Sequence, residues 1–312
     1  AVFVGISSRE DWNVALEREY VREVLVGMGL GAGSDGARGR IAMAISNIAF
    51  SKEGERLLAS GGVKEALVRI GRGAGSDDVR VVVSDAIVNI TGCEEGKVEF
   101  ASDDVVGVLV EMGRRAASDE ARASAGWAIA GVAGSHAGRR MLATNDVRDV
   151  LVVMGSGAGS DDAREVISWA IWRIGEEALG LMATDEVRDV LAAMGRDALS
   201  DRAIVAVCGA IAFVAHSLAN DAVRDVLVAM GQRAATDGAR RLAARAICNV
   251  ARSQLGAVLM ARDDVRDVLA AMGRSGTKLV ARAISAITQC DAGRRAMATR
   301  EVRELLVAST TG

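Results

Sequence analysis

Proline is absent from this chain, aromatic residues make up only 3% of it, and histidine occurs twice, at His136 and His216. Without proline, the turns and helix ends must be made by glycine, of which there are 35, and by Ser/Asp pairs. A shortage of aromatics beside abundant Ala, Val, Ile, Leu and Met favours helices over sheets. No run of ~20 apolar residues exists, so no membrane span is expected. The opening Ala1 to Ile6 is too short for a signal peptide and lacks a basic leader. The four cysteines, Cys93, Cys208, Cys248 and Cys290, form no CxxC pair, which disfavours a zinc site or a disulfide framework. They read as reduced core or near-core residues. Charge is balanced, with 38 basic against 41 acidic residues, so no global field draws the chain to nucleic acid or an anionic membrane. What remains is a chain that is half hydrophobic and a quarter charged, and therefore folded.

The 312 residues are internally repetitive. A Val-Arg-Asp/Glu-Val-Leu signature begins at Val21, Val63, Val105, Val147, Val187, Val223, Val265 and Val302, in steps of 42, 42, 42, 40, 36, 42 and 37 residues. A glycine follows four residues after the Leu: Gly29, Gly71, Gly113, Gly155, Gly195, Gly231 and Gly273. Then comes a Ser/Thr-Asp pair in six of the seven, from Ser34-Asp35 to Thr236-Asp237. Ser and Asp accept hydrogen bonds from free N–H groups, so each pair predicts a helix start. Repeat seven departs, with Arg274-Ser275-Gly276-Thr277.

An apolar helix of about fifteen residues is expected after each cap. Its centre holds an Ala column (Ala44, Ala86, Ala128, Ala170, Ala210, Ala246, Ala283), an Ile one residue on, and Ile or Val three beyond that. Ile and its i+3 partner share the core face. The constant Ala implies close helix approach. A short amphipathic segment, such as Glu53 to Ser60 or Ala137 to Thr144, precedes the next signature. Each unit is thus a short, a middle and a long helix. No unit of ~40 residues buries its apolar face alone, but a stack does. The expected organisation is one solenoid over 1–312, with repeats 8–50, 51–92, 93–134, 135–176, 177–216, 217–253 and 254–290 and a partial unit 291–312. The segment Ser217 to Asn220 leaves no room for a short helix in repeat six, and its neighbour His216 reads as structural.

These residues resemble the armadillo repeat family. Ala42 to Ile70 is similar to its A-x-x-A-L-x-N-I/L-A pattern followed by G-G-x-x-x-L-V-x-L, and Ser124 to Ala133 and Ile167 to Gly175 resemble its W-A-L-x-N-L segment. The resemblance implies an all-α, right-handed superhelix of about seven three-helix repeats plus a partial one, with third helices lining a groove for peptides or protein tails. In the family's nuclear-import adaptors, an Asn on each third helix holds the ligand backbone and a Trp one turn earlier packs on ligand side chains. Here the Asn column reads Asn47, Asn89, Gly131, Arg173, Phe213, Asn249, Ala286, and the Trp column Met43, Asp85, Trp127, Trp169, Gly209, Arg245, Arg282. No repeat has both, so that ladder is broken while a generic groove stands.

Along the array the two columns change character. Asn47, Asn89 and Asp85 come first, then Trp127, Trp169, Arg173 and Phe213. Arg245, Asn249 and Arg282 come last, with Arg241 and Lys278 one turn before the two arginines. The expected partner is a protein or peptide segment with apolar anchors at its centre and acidic residues toward the C-terminal repeats, Trp and Arg being common hot-spot residues. Two readings of Trp127 and Trp169 stand, anchors for a partner or filling between third helices. Trp172 reads as core, and Trp12 as closing the N-terminal end. Arg148, Arg188, Arg224 and Arg266 of the signature, beside Asp149, Asp189, Asp225 and Asp267, read as ladders of solvated charge. Arg38, Arg80, Arg122, Arg164 and Arg240 read as structural, bonding carbonyls of the preceding repeat.

Catalytic motifs such as GxSxG, HExxH and a Walker loop are absent. Arg72 to Asp78 and Ser156 to Asp162 look like phosphate loops but follow no strand, and read as a helix C-cap running into an N-cap. No cofactor or metal is implied. The expected function is a non-enzymatic scaffold or adaptor in the cytoplasm or nucleus. The alternatives are a structural part of a cytoskeletal or ciliary assembly and a nucleic-acid-binding solenoid, the latter disfavoured by the lack of a continuous basic stripe. The array stops after VRELL without a third helix, which would leave apolar faces open to end-to-end self-association.

Overall fold

A computed structural model of the chain describes residues 19–59, 62–214, 219–273 and 277–311. The readings placed on Trp12, His216, Ser217 and Arg274 to Gly276 lie outside the described residues, as does most of the junction in repeat six. The chain divides into two compact units, Ala1–Gly157 and Ala158–Gly312. Every regular element among the described residues is an α-helix.

The first unit holds α1 (Glu19–Gly31), α2 (Asp35–Ile48), α3 (Lys52–Leu58), α4 (Val63–Arg72), α5 (Asp77–Ile90), α6 (Glu94–Glu99), α7 (Asp103–Arg115), α8 (Asp119–Val132), α9 (His136–Leu142) and α10 (Asn145–Ser156). Its long helices stack in the order α2, α5, α8, and its middle helices in the order α1, α4, α7, α10. The second unit holds α11 (Asp161–Gly175), α12 (Leu179–Met182), α13 (Asp185–Asp197), α14 (Asp201–Val214), α15 (Asp221–Arg233), α16 (Asp237–Val250), α17 (Gln254–Met260), α18 (Asp263–Met272), α19 (Thr277–Ile287), α20 (Asp291–Ala296) and α21 (Arg300–Thr311). There α11, α14, α16 and α19 form the long-helix stack, and α13, α15 and α18 the middle one. The periodicity that predicted short, middle and long helices is therefore realised in each unit.

The columns explain the stacking. All seven Ala, all seven Ile and all seven Ile/Val positions three beyond them are buried. Burying one Ile or Val side chain stabilises by about 1.5–3 kcal/mol, and a column repeats that gain at each joint within a unit. The middle helices approach still more closely. A Cβ built at Gly71 would lie 2.6 Å from Val108, at Gly113 2.8 Å from Val150, and at Gly231 2.6 Å from Val268. These glycines lie within or at the end of the middle helices, and their missing side chains admit a Val of the next one. Among the described residues only Gly62 has a positive φ, 64°. Glycine thus serves close approach here as well as helix ends, where Gly73, Gly157 and Gly273 are the C-caps of α4, α10 and α18, in right-handed conformation.

The Ser/Thr-Asp pair has two separate tasks. The hydroxyls of Ser34, Ser118, Ser160, Ser200 and Thr236 cap their own helices, accepting from the N–H three residues on. The aspartate reaches forward into the next repeat. Asp35 accepts from the Gly75 N–H at 3.0 Å, Asp77 from Ala117 and Ser118 at 3.1 and 2.6 Å, and Asp201 from Ala235 and Thr236 at 3.0 and 2.6 Å. Asp161 makes the same pair of bonds to Leu199 and Ser200. The Gly75 N–H leads in holding the Asp35 carboxyl below its ordinary range. At Asp77, Asp161 and Asp201 burial acts to raise the value, but hydrogen bonds from the next loop outweigh it and all three are lowered.

The structure corrects the reading of the arginine column. Arg38, Arg80, Arg122, Arg164 and Arg240 each pair with the aspartate three residues earlier. Arg80, Arg164 and Arg240 also donate to Ala74, Gly159 and Ala234 carbonyls, in the loop of their own repeat. Arg38 lies against Gly73 of the following repeat, not the preceding one. Each guanidinium is anchored by the aspartate at its own helix start, which keeps it on its own loop or, at Arg38, against the following one. The signature arginines are less solvated than expected. Arg148, Arg188, Arg224 and Arg266 are 9–23% exposed while each bridges the next Asp and a residue three earlier. Their aliphatic stems cover apolar surface as the carboxylates face water.

Candidate functional site

In the first unit the exposed face of the long helices carries Met43, Asn47 and Phe50 on or beside α2, Asp85 and Asn89 on α5, and Trp127 on α8. Met43 is 40% and Trp127 42% exposed. Asp85 is half-buried; burial raises its carboxyl above the ordinary range, the Ser124 hydroxyl pulls it back, and Glu120 adds to the rise. Asn89 donates to the Ser46 carbonyl and hydroxyl at 3.1 and 3.0 Å. Its amide ties α5 to α2. Gly131, in the same column, lets the Thr91 hydroxyl approach: a Cβ there would lie 2.5 Å from it.

In the second unit the long helices bring together Trp169 and Arg173 (α11), Phe213 (α14), Arg241, Arg245 and Asn249 (α16), and Lys278 and Arg282 (α19). Trp169 is half-buried and stacks on Trp172, with ring centroids 4.9 Å apart and planes at 21°. Trp172, expected in the core, is half-buried at the surface instead. The reason is Gly209: with no side chain there, the Trp172 ring lies across the joint between α11 and α14, 3.1 Å from where a Cβ would be. Trp172, Gly209, Ala212, Phe213, Leu179, Leu242, Arg245 and Asn249 line a depression of about 260 Å³. Asn249 donates to the Ala212 carbonyl at 2.8 Å, repeating the tie made by Asn89.

Beside it, Arg245, Arg252, Arg282, Cys248, Leu279 and Gln289 help line a second depression of about 350 Å³. Arg241 and Lys278 stand one helical turn before Arg245 and Arg282, and all five cations are exposed. Among the described residues none of the five lies within ion-pair distance of a carboxylate. Burial raises the Cys248 thiol above its ordinary range, and Arg252 and Arg282 oppose the rise. Phe50, at 84% exposure, and Arg252 were not singled out in the sequence. They occupy one equivalent place just past the long helices, a column legible only once Asn47 and Asn249 are aligned. Among the described residues no cluster of three His, Cys, Asp or Glu side chains could hold a metal. No helix there is long and apolar enough to cross a membrane.

No family model and no curated protein sequence matches the chain. Solved structures do. A designed armadillo repeat protein aligns with TM-score 0.58 at 20% identity, covering 72% of this chain and 98% of its own. A computationally designed armadillo repeat protein for modular peptide recognition aligns at 0.57 and 19%, with the same coverage. A chain from work on the interaction between cadherin and beta-catenin aligns at 0.70 and 14%, covering 97% of this chain and 71% of that one. The fold is of the armadillo type. The resemblance read from Ala42 to Ile70 and its repeats is thus matched in three dimensions, and the all-α solenoid stands. At these identities the likeness extends to the fold alone.

Proposed function

We propose that this chain is a non-enzymatic scaffold that holds a partner polypeptide against the exposed faces of its long helices, and that the second unit takes an acidic stretch of that partner. The observation that carries the reading is the set of Arg241, Arg245, Arg252, Lys278 and Arg282, exposed together with no carboxylate in reach. Cations gathered without partners repel one another, and an acidic ligand relieves that repulsion. Trp127 in the first unit and Trp169 with Phe213 in the second supply apolar contact of the kind that dominates interfaces. The structural neighbours support it, one being a design for peptide recognition and another coming from work on a cadherin partner. Four unpaired cysteines fit a reducing compartment, the cytoplasm or nucleus.

Fluorescence anisotropy with a labelled acidic peptide, its lysine-substituted counterpart and single-stranded DNA tests the proposal. The acidic peptide should bind, weaken with added salt, and be lost in Arg245→Glu/Arg282→Glu. Equal binding of both peptides, or tighter binding of the DNA, would overturn it.

A further inference from the structure

The depression over Gly209 differs from the rest of the long-helix face. The equivalent column holds Met, Asp, Trp or Arg in other repeats, and only here is it bare. Two aromatic rings line the depression, Trp172 across Gly209 and Phe213 against Gly175, with Leu179 and Leu242 completing an apolar lining. The Phe213 ring is itself fixed, packed against Gly175 so that a Cβ there would lie 3.0 Å from it. Trp172 is fixed by its stack on Trp169. The polar rim is one-sided. Arg245 and Asn249 stand at the same edge, and Asn249 is held by its bond to Ala212. Beyond Arg245, the adjoining depression continues with Arg252 and Arg282.

We infer that this depression is a side-chain slot that admits one bulky apolar residue of an acidic polypeptide, while Arg245 and Arg282 hold carboxylates that follow it. The inference rests on the polypeptide-binding reading and adds to it the position that selects the sequence. The slot is apolar, preformed and large enough for a single side chain, whereas the flanking surface offers only cations. Packed helices stand roughly 8–10 Å apart, and an extended chain advances about 3.3 Å per residue. Arg282 of α19 lies two such spacings from Gly209 of α14, roughly 16–20 Å, so its carboxylate belongs about five to six residues from the residue in the slot.

Selection of a randomised peptide library on the intact protein tests this, in parallel with Gly209→Ala and Leu242→Gln. The first variant sets a methyl 3.1 Å from the Trp172 ring and so displaces that wall of the slot, and the second makes the Leu242 wall polar. Wild type should enrich peptides with a Leu, Phe or Trp followed or preceded at that spacing by Asp or Glu. Both variants should keep the acidic enrichment and lose the apolar one. An enriched peptide whose apolar residue is changed to Ala should bind wild type about ten-fold more weakly and bind Leu242→Gln unchanged. If wild type and both variants enrich the same apolar pattern, the slot is refuted and the wider face still binds. If wild type enriches only acidic residues, the slot is likewise refuted. If wild type enriches nothing, the polypeptide-binding reading itself falls, and the slot with it. Circular dichroism of both variants reports folding, and Leu242 is half-buried, so its change leaves the α11–α14 joint untouched.

Discussion

Helix α7 contains two glycines whose replacement by alanine should move stability in opposite directions. Gly107 is exposed and a Cβ there meets nothing within 4 Å. Alanine at that position removes the conformational freedom that glycine loses on folding, a gain of about 0.8–1 kcal/mol in a helix interior. Gly113, later in the same helix, receives the same propensity gain. Its Cβ, however, would lie 2.8 Å from Val150 Cγ2 and 3.0 Å from Met154 Sδ on α10. Methionine can yield, but a β-branched valine in a helix has essentially one rotamer. Forcing a methyl into such a joint costs about 1–3 kcal/mol. The net expectation is a loss of about 1 kcal/mol for Gly113→Ala and a gain of about 1 kcal/mol for Gly107→Ala. Val150→Ala should relieve the overlap, so the double-mutant cycle with Gly113→Ala should show favourable coupling of about 1 kcal/mol or more. Urea unfolding of the full chain gives the energies, and hydrogen exchange in α7 and α10 locates them. Gly113→Ala as stable as Gly107→Ala, or zero coupling with Val150→Ala, would refute the close-approach account.

Four further outcomes are expected. Asp77, Asp161 and Asp201 have folded-state values below their unfolded ones. Their stabilisation is therefore complete above the unfolded pKa of about 3.9 and lost as pH falls through the depressed values. Acid unfolding monitored by circular dichroism should shift to higher pH in Asp201→Asn. Asp85 has the opposite sign, its raised carboxyl making the charged form unfavourable at neutral pH, so Asp85→Asn should raise the urea midpoint at pH 7 and leave it unchanged well below the ordinary carboxylate range. Cys208 is fully buried with its thiol pushed up to about 12, so a thiol reagent at pH 8 should modify it only on unfolding, which mass spectrometry of the labelled chain can read. Asn249→Ala should lose the bond to Ala212 and cost about 1 kcal/mol in urea unfolding, showing that the amide joins α14 to α16.

The architecture was legible because each position is sampled seven times. Ala44 alone says little, but seven alanines one residue before seven isoleucines can only be a packed face, and every one is buried. The second task of the aspartates was hidden for the same reason that it works. Asp77 is near its own helix start in sequence and near Ser118 only in space, 41 positions on. A capping signature accounts for the Ser and leaves the Asp with nothing further to explain. The glycines were legible in part: Gly73, Gly157 and Gly273 end helices as their abundance suggested, whereas Gly71, Gly113 and Gly231 are places where another helix comes too near for a side chain. On the candidate face, Trp127 and the C-terminal cations were visible as departures within columns. Trp172 was placed in the core because its column was judged by helical phase, without allowing for the empty space left by Gly209 on the neighbouring helix.

The forward reach of Asp35, Asp77, Asp161 and Asp201 makes these joints within a unit depend little on side-chain identity. Asp35 meets Gly75, and Asp201 meets Ala235 and Thr236, through backbone N–H groups that any residue but proline supplies. Deleting or duplicating one full period would reconnect the same atoms on either side of the seam. Such a chain can change its length by whole units during evolution while each surviving junction of this kind closes as before.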